Sequence, residues 1–234
     1  LFLQHMPANA GMAFVVVLHL APNHKSSADA ILQRHTRMPV LQVQGRIPVQ
    51  ANHVYIIPPS QDLRMNDGHL ELQAPTRTRG PHVAIDLFFR ALAQVHNLRA
   101  VAVVLSGTGS DGAQGLKRIK ERGGVTLVQA PHEAEFADMP NAAISTGAVD
   151  FVLPVADMPQ RLINLWNNAR HIWLPALSEQ INPVAMPPSA ADAQRAEQAL
   201  QDVMAHLRVR TGHDFRHYKR ATVLRRIERR MQVC

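Results

Sequence analysis

Apolar and polar residues change period several times along the chain, and those changes mark out its elements. Residues 12–18 (MAFVVVL) form a continuous valine-rich run, the pattern of a strand buried on both faces. A helix is expected over 26–35, then short strands near 41–43 and 53–57. In LRMNDGHLELQA, alternating residues flank Asp67-Gly68, a strong hairpin signal. HVAIDLFFRALAQVHN places Ile85, Phe88, Phe89 and Leu92 at helical spacing. A strand over 100–105, a helix over 113–122, a strand over 125–129 and an amphipathic helix over 158–172 follow. Strands alternating with helices predict an α/β class: a doubly wound, mostly parallel sheet covered on both faces. Ligand chemistry in such sheets sits at the carboxyl ends of strands, here the loops after Leu18, Leu105 and Gln129.

The pattern then breaks. Residues 174–193 hold four prolines and no regular apolar period, which reads as a linker. Beyond it, AQRAEQALQDVMAHLRVR and HYKRATVLRRIERRM both have helical period, separated by the TGHD turn at 211–214. The expected organisation is an α/β domain over 1–173, a linker over 174–193 and the start of a small all-α domain over 194–234. The chain opens on an apolar stretch without Met and stops just after a basic helix, which suggests a piece of a longer protein.

Composition sharpens this picture in three places. With 234 residues, 46% of them hydrophobic, the chain can bury a proper core. Its single cysteine, Cys234, excludes an intrachain disulfide and points to a reducing, cytoplasmic compartment. No apolar run approaches the roughly 20 residues of a membrane span, so an integral membrane protein is not expected. The net charge of +7 is concentrated in the tail: residues 195–234 carry 10 Lys/Arg against 4 Asp/Glu, and the first 194 residues 15 against 14. An acidic partner is therefore implied for the tail alone.

Candidate chemistry lies at two strand ends. His19 follows the first apolar run, where a general base is useful, although a lone histidine there is more often a strand cap or a core residue. AVAVVLSGTGSDGAQG satisfies G-x-G-x-x-G through Gly107, Gly109 and Gly112, but Asp111 inside that loop would repel a pyrophosphate. The dinucleotide pattern also wants an acid at the end of the next strand, which instead ends in Gln129-Ala130. Asp111 is open to two roles: capping the helix that follows it, or orienting His19 as the acid of a Ser-His-Asp arrangement. A nucleophile is not evident. Ser26, Ser27, Ser60, Ser106 and Ser110 all lie outside any G-x-S-x-G elbow.

Taken together, VVVLHL, YIIPPSQDL, DGHLEL, RGPHVAIDLFFRALA, VVLSGTGSDGAQGLKRIKERGG and FADMPNAAISTGAVDFVLP resemble the catalytic domain of chemotaxis protein-glutamate methylesterases of the CheB type, over about residues 12–155. The tail LRVRTGHDFRHYKRATVLRRIERRM is similar to the N-terminal helical subdomain of CheR-type receptor methyltransferases, so the whole resembles a piece of a fusion of the two. The resemblance implies a cytoplasmic serine hydrolase that removes glutamyl γ-methyl esters from methyl-accepting chemoreceptor helices, or a similar methylated signalling protein. It implies no cofactor for the esterase part and S-adenosylmethionine for a methyltransferase domain beyond Cys234. His19 and Asp111 match the family's catalytic pair. Gln4-His5-Met6-Pro7 shares letters with the family's histidine segment but precedes the strand, so His19 is the better match. The family's nucleophile sits in a Gly-Ala-Ser-x-Gly-Gly loop, which would lie ahead of Leu1, so the chain by itself is expected to be inactive. Thr108 and Gly109 are candidate oxyanion supports, or else no more than a tight turn. The alternative is a binding module: Arg225, Arg226, Arg229 and Arg230 form a basic cluster that could dock acidic receptor helices, with no nucleic-acid partner expected, or simply face solvent.

Overall fold

The structure is a computed structural model that describes residues 1–18, 27–66, 68–74, 83–171 and 189–233. Its first parallel sheet forms where the sequence places valine-rich and isoleucine-rich runs. Strand β1 (Phe14–Val16) and strand β2 (Val40–Gln42) flank β4 (Val54–Ile56), and both pair with it in parallel. All three β4 residues are buried, as a central parallel strand requires. Helix α1 (Ala28–Gln33) precedes β2. The hairpin expected around Asp67-Gly68 is present: β5 (Asp62–Asn66) and β6 (His69–Gln73) run antiparallel, with Asn66 opposite His69. That pairing leaves a two-residue loop, of which Asp67 lies outside the described residues. A two-residue strand β3 (Ile47–Pro48) adds to the other edge of β6.

A second parallel sheet carries the loop of interest. Helix α2 (Ala84–His96) leads to β7 (Val101–Val104), followed by α3 (Ala113–Glu121), β8 (Val125–Gln129), α4 (Asp138–Ser145), β9 (Phe151–Leu153) and α5 (Met158–His171). The order β7-β8-β9 is parallel throughout, and every residue of β8 is buried. Phe88 and Phe89 of α2, Leu116 and Ile119 of α3, and Leu63 and Leu70 of the hairpin join one core with Tyr55 and Val128. Strands tie together at Asp150. Its carboxylate accepts from Thr126 N (3.0 Å) and Thr126 Oγ1 (2.9 Å) and pairs with Lys120 of α3.

Strands β1, β4 and β7 are shorter than the sequence runs that predict them, because pairing covers only part of each apolar stretch, whereas β8 has the expected bounds and β2 lies one residue earlier than expected. Three elements have no counterpart in the sequence reading: β3, α4 and β9. None offers enough residues to show a period, and Pro140 stands in the first turn of α4.

The chain divides into two compact units, Leu1–Arg161 and Leu162–Cys234. In the second, α6 (Ala190–Thr211) and α7 (Arg220–Val233) meet through Leu200 and Leu224, with Met204 and Ile227 against them. Helix α6 starts at Ala190 because Ser189 caps it, its Oγ accepting from Asp192 N at 3.2 Å. Arg220 pairs with Glu197 between the two helices. Residues 172–188, most of the expected linker, lie outside the described residues. Among the described residues, no helix is long and apolar enough to cross a membrane.

Candidate active site

The loop after β7 is fixed at its start by the neighbouring strand and helix. Ser106 N donates to the side-chain oxygen of Gln129, at the end of β8, at 2.7 Å. Phe136 N donates to Ser106 Oγ at 2.9 Å, and Gly107 N donates back to Phe136 O at 3.0 Å. Met139 N then donates to Gly107 O at 3.0 Å. Gln129 thus supports the loop rather than a ribose, and Ser106 is a structural acceptor. Past this zipper, Thr108, Gly109 and Ser110 are exposed. Among the described residues the backbone N–H groups of Thr108 and Gly109 have no backbone acceptor.

Asp111 follows, half-buried, and its carboxylate accepts from three backbone donors: Ile85 N (2.9 Å), Asp86 N (2.9 Å) and Gly112 N (2.8 Å). Sequence adjacency suggests that Asp111 caps α3. It caps α2 instead, because the fold brings the N-terminus of α2 beside the loop. Val83, at the N-terminal boundary of α2, has no polar side chain to serve its own first turn, and Asp111 supplies the missing acceptor. A carboxylate offers about four acceptor sites, so it accommodates a side-chain donor beside these three. Asp111 thus fills the anion seat at the N-terminus of α2, and its negative charge within the 107–112 loop opposes a phosphate there.

The N-terminus of α3 is served in return by Asp86, whose Oδ1 accepts from Gly115 N at 2.6 Å. Asp86 is 8% exposed. Burial pushes its carboxyl above the usual range; Gly115 N–H works against this, the nearby Asp111 charge adds to it, and Arg90 and Gly112 N–H oppose it. Helices α2 and α3 approach as closely as glycine allows. At Gly112, where φ is +92°, a Cβ would lie 2.8 Å from Ile85 Cγ2, and at Gly115 it would lie 2.6 Å from Phe89 Cβ. Asp86 does not stand out as chemistry in the sequence. The available signal is an acid set among Ile85, Leu87, Phe88 and Phe89 on an otherwise apolar helix.

The remaining expected residues are placed as follows. His19 and Ser26 lie outside the described residues. His5 sits in the N-terminal turn ahead of β1, its Nδ1 against Leu1 O at 2.9 Å. Ser27 bounds α1. On α7, Arg226 and Arg230 are exposed one turn apart and Arg229 is half-buried, while the side chain of Arg225 lies outside the described residues. No group of three or more His, Cys, Asp or Glu that could hold a metal occurs among the described residues.

Comparison with known proteins fits this arrangement. The family described as CheB methylesterase matches residues 1–162, and the CheR methyltransferase all-alpha domain matches residues 198–234. An uncharacterized 104.1 kDa protein of Rhodobacter capsulatus is 36% identical over 218 residues, covering 87% of this chain and 22% of that protein. A putative protein-glutamate methylesterase/protein-glutamine glutaminase of Leptospira interrogans is 31% identical over 164 residues, covering 70% of this chain and 85% of that protein. This chain thus spans about a fifth of the first relative and most of the second. The crystal structure of the Thermotoga maritima CheB methylesterase catalytic domain superposes with a TM-score of 0.65 at 26% identity, over 70% of this chain and 89% of that one. With the α/β architecture, the loop motif and the family match all falling on the same residues, the chain belongs to the CheB methylesterase family and carries a CheR-type helical segment at its C-terminal end.

Proposed function

We propose that the α/β unit is the acid–base part of a protein-glutamate methylesterase acting on methyl-accepting chemoreceptors in chemotaxis-like signal transduction. The observation that carries the reading is the Asp111 carboxylate, fixed by Ile85, Asp86 and Gly112 N–H at the loop that the family motif occupies. In this reading a serine hydroxyl attacks the γ-ester carbonyl while His19 takes its proton. Asp111 orients the imidazole and stabilises the imidazolium. Thr108 and Gly109 N–H groups face the developing oxyanion. His19 returns the proton to the departing methoxide, releasing methanol, then activates water to free the glutamate.

No Gly-Ala-Ser-x-Gly-Gly sequence occurs in the 234 residues, so the chain alone supplies no nucleophile for this scheme. The CheR-type segment extends the reading to a receptor methyltransferase that uses S-adenosylmethionine. Helices α6 and α7 contain no strand–glycine loop–helix turn fitted to seat that cofactor, so these residues contribute no step with it. The test is to fuse a strand and Gly-Ala-Ser-x-Gly-Gly loop ahead of Leu1 and measure methanol release from a methylated receptor. Loss of a triad acid costs on the order of 10⁴ in turnover, and loss of the base on the order of 10⁶. An active fusion whose Asp111→Asn and His19→Ala variants stay within a few fold of the parent refutes the assignment.

A second reading rests on exposed Arg226 and Arg230: α7 docks acidic receptor helices. Equal, steeply salt-dependent affinity of the chain for a receptor methylation-helix peptide and for duplex DNA would reduce this to unspecific charge attraction.

A further inference from the structure

Each of two helix N-termini is capped by the other's neighbourhood. The first turn of an α-helix leaves N–H groups without intrahelical acceptors. The boundary residues here, Val83 for α2 and Gly112 for α3, make no side-chain cap. The Ile85 and Asp86 N–H groups of α2 go to Asp111, which immediately precedes Gly112. The Gly115 N–H of α3 goes to Asp86. Asp86 therefore holds both halves of the exchange: its backbone donates to the Asp111 carboxylate, and its own carboxylate receives from the helix that Asp111 introduces. Only three residues separate Asp111 from Gly115, so the ring formed by Asp86, Asp111 and the 111–115 segment is short and closed.

Close packing adds to the constraint. Besides the contact with Phe89, a Cβ at Gly115 would lie 3.0 Å from Asp86 Cα and 3.0 Å from Asp86 O, so the helices meet backbone to backbone at this point. A carboxylate is costly at such a buried place, next to a second one, and an apolar side chain would fill the space more cheaply. What an apolar side chain could not do is fix the position of α3 relative to α2, and so the direction of Asp111.

We propose that Asp86 is a positioning residue for Asp111, locking the start of α3 onto the start of α2 so that the Asp111 carboxylate keeps one orientation. Its bearing on catalysis rests on the reading of Asp111 as the acid of the esterase; the mechanical coupling does not.

Amide hydrogen exchange on the whole chain tests the coupling without any turnover. Asp86→Ala removes the carboxylate that accepts from Gly115 N–H and leaves the backbone of residue 86 intact. If Asp86 positions Asp111, the amides of Ile85 and residue 86, which bond Asp111 rather than the Asp86 side chain, exchange at least about tenfold faster, together with Gly112 and Gly115. The Leu127 and Val128 amides of β8 serve as the internal reference and stay unchanged. Asp86→Asn keeps an acceptor oxygen for Gly115 and restores most of the protection at all four sites. Faster exchange confined to Gly112 and Gly115 overturns the proposal, since Asp86 is then a cap of α3 and nothing more. Should Asp86→Ala fail to fold, Asp86→Glu displaces the same acceptor by one methylene and is read against the same two patterns. Failure of the methylesterase reading would show as absent methanol release in the fusion, with these exchange patterns unaffected.

Discussion

Replacing Gly115 with alanine sets two effects of opposite sign against each other at one position. Gly115 lies in the first turn of α3, and in an open helix the change would stabilise by roughly 1 kcal/mol. Here the new methyl meets Phe89 Cβ at 2.6 Å and the Asp86 backbone at 3.0 Å, against ordinary carbon contacts of about 3.5–4.0 Å. The helices must part by about 1 Å. Overpacking of this kind costs about 1–3 kcal/mol. The Asp86–Gly115 hydrogen bond, now 2.6 Å and accepted by a carboxyl group, stretches and forfeits part of a contribution of about 1.5–3 kcal/mol. Set against the helix gain, the net is about 2–3 kcal/mol of destabilisation, which for a chain of this size lowers Tm by about 5–10 °C. Circular dichroism melting of the chain and its Gly115→Ala variant measures it. An unchanged or higher Tm would refute the close approach of α2 and α3 on which the geometry of Asp111 depends.

Other consequences follow from the buried acids. Because the folded state raises the Asp86 pKa above its ordinary 3.8, the native form holds this proton better than the unfolded chain. Stability relative to Asp86→Asn therefore falls as pH rises from about 3.8 through the raised value, then levels. Urea unfolding across that range checks the sign, and a difference that grows with pH would be inconsistent with burial as the dominant cause. Asp150 is 7% exposed and supplies the acceptor for Thr126 N–H and hydroxyl, while its partner Lys120 is about a third exposed. Asp150→Ala should cost about 2–3 kcal/mol, mostly from the buried Thr126 N–H left without a partner while the hydroxyl keeps Ala148 O, and Asp150→Asn clearly less. Equal urea midpoints for the two variants would place the effect in the ion pair rather than in those hydrogen bonds.

Legibility in the sequence followed local redundancy. The β5–β6 hairpin carries both alternation and a turn dipeptide, and β8 (VTLVQ) is a short, mostly apolar, β-branched run set between Gly124 and Pro131, so each has more than one signal. Strand β9 and helix α4 hold three and eight residues, too few for a period to emerge. At the site, the glycine-rich loop and Asp111 were visible as a motif, yet the helix that Asp111 caps was not. Capping is read from neighbours in sequence, whereas α2 reaches Asp111 from 25 residues upstream through the tertiary fold. Asp86 was hidden for the same reason: its partner at Gly115 is 29 residues away.

In the proposed mechanism Asp111 is held in place in order to orient His19. Proton NMR titration of the His19 imidazole, assigned with His19→Ala and recorded for the parent chain and for Asp111→Asn, tests it without needing a nucleophile. If the Asp111 carboxylate pairs with the imidazole, the asparagine substitution lowers the His19 midpoint. A His19 midpoint that is the same in both proteins would contradict it.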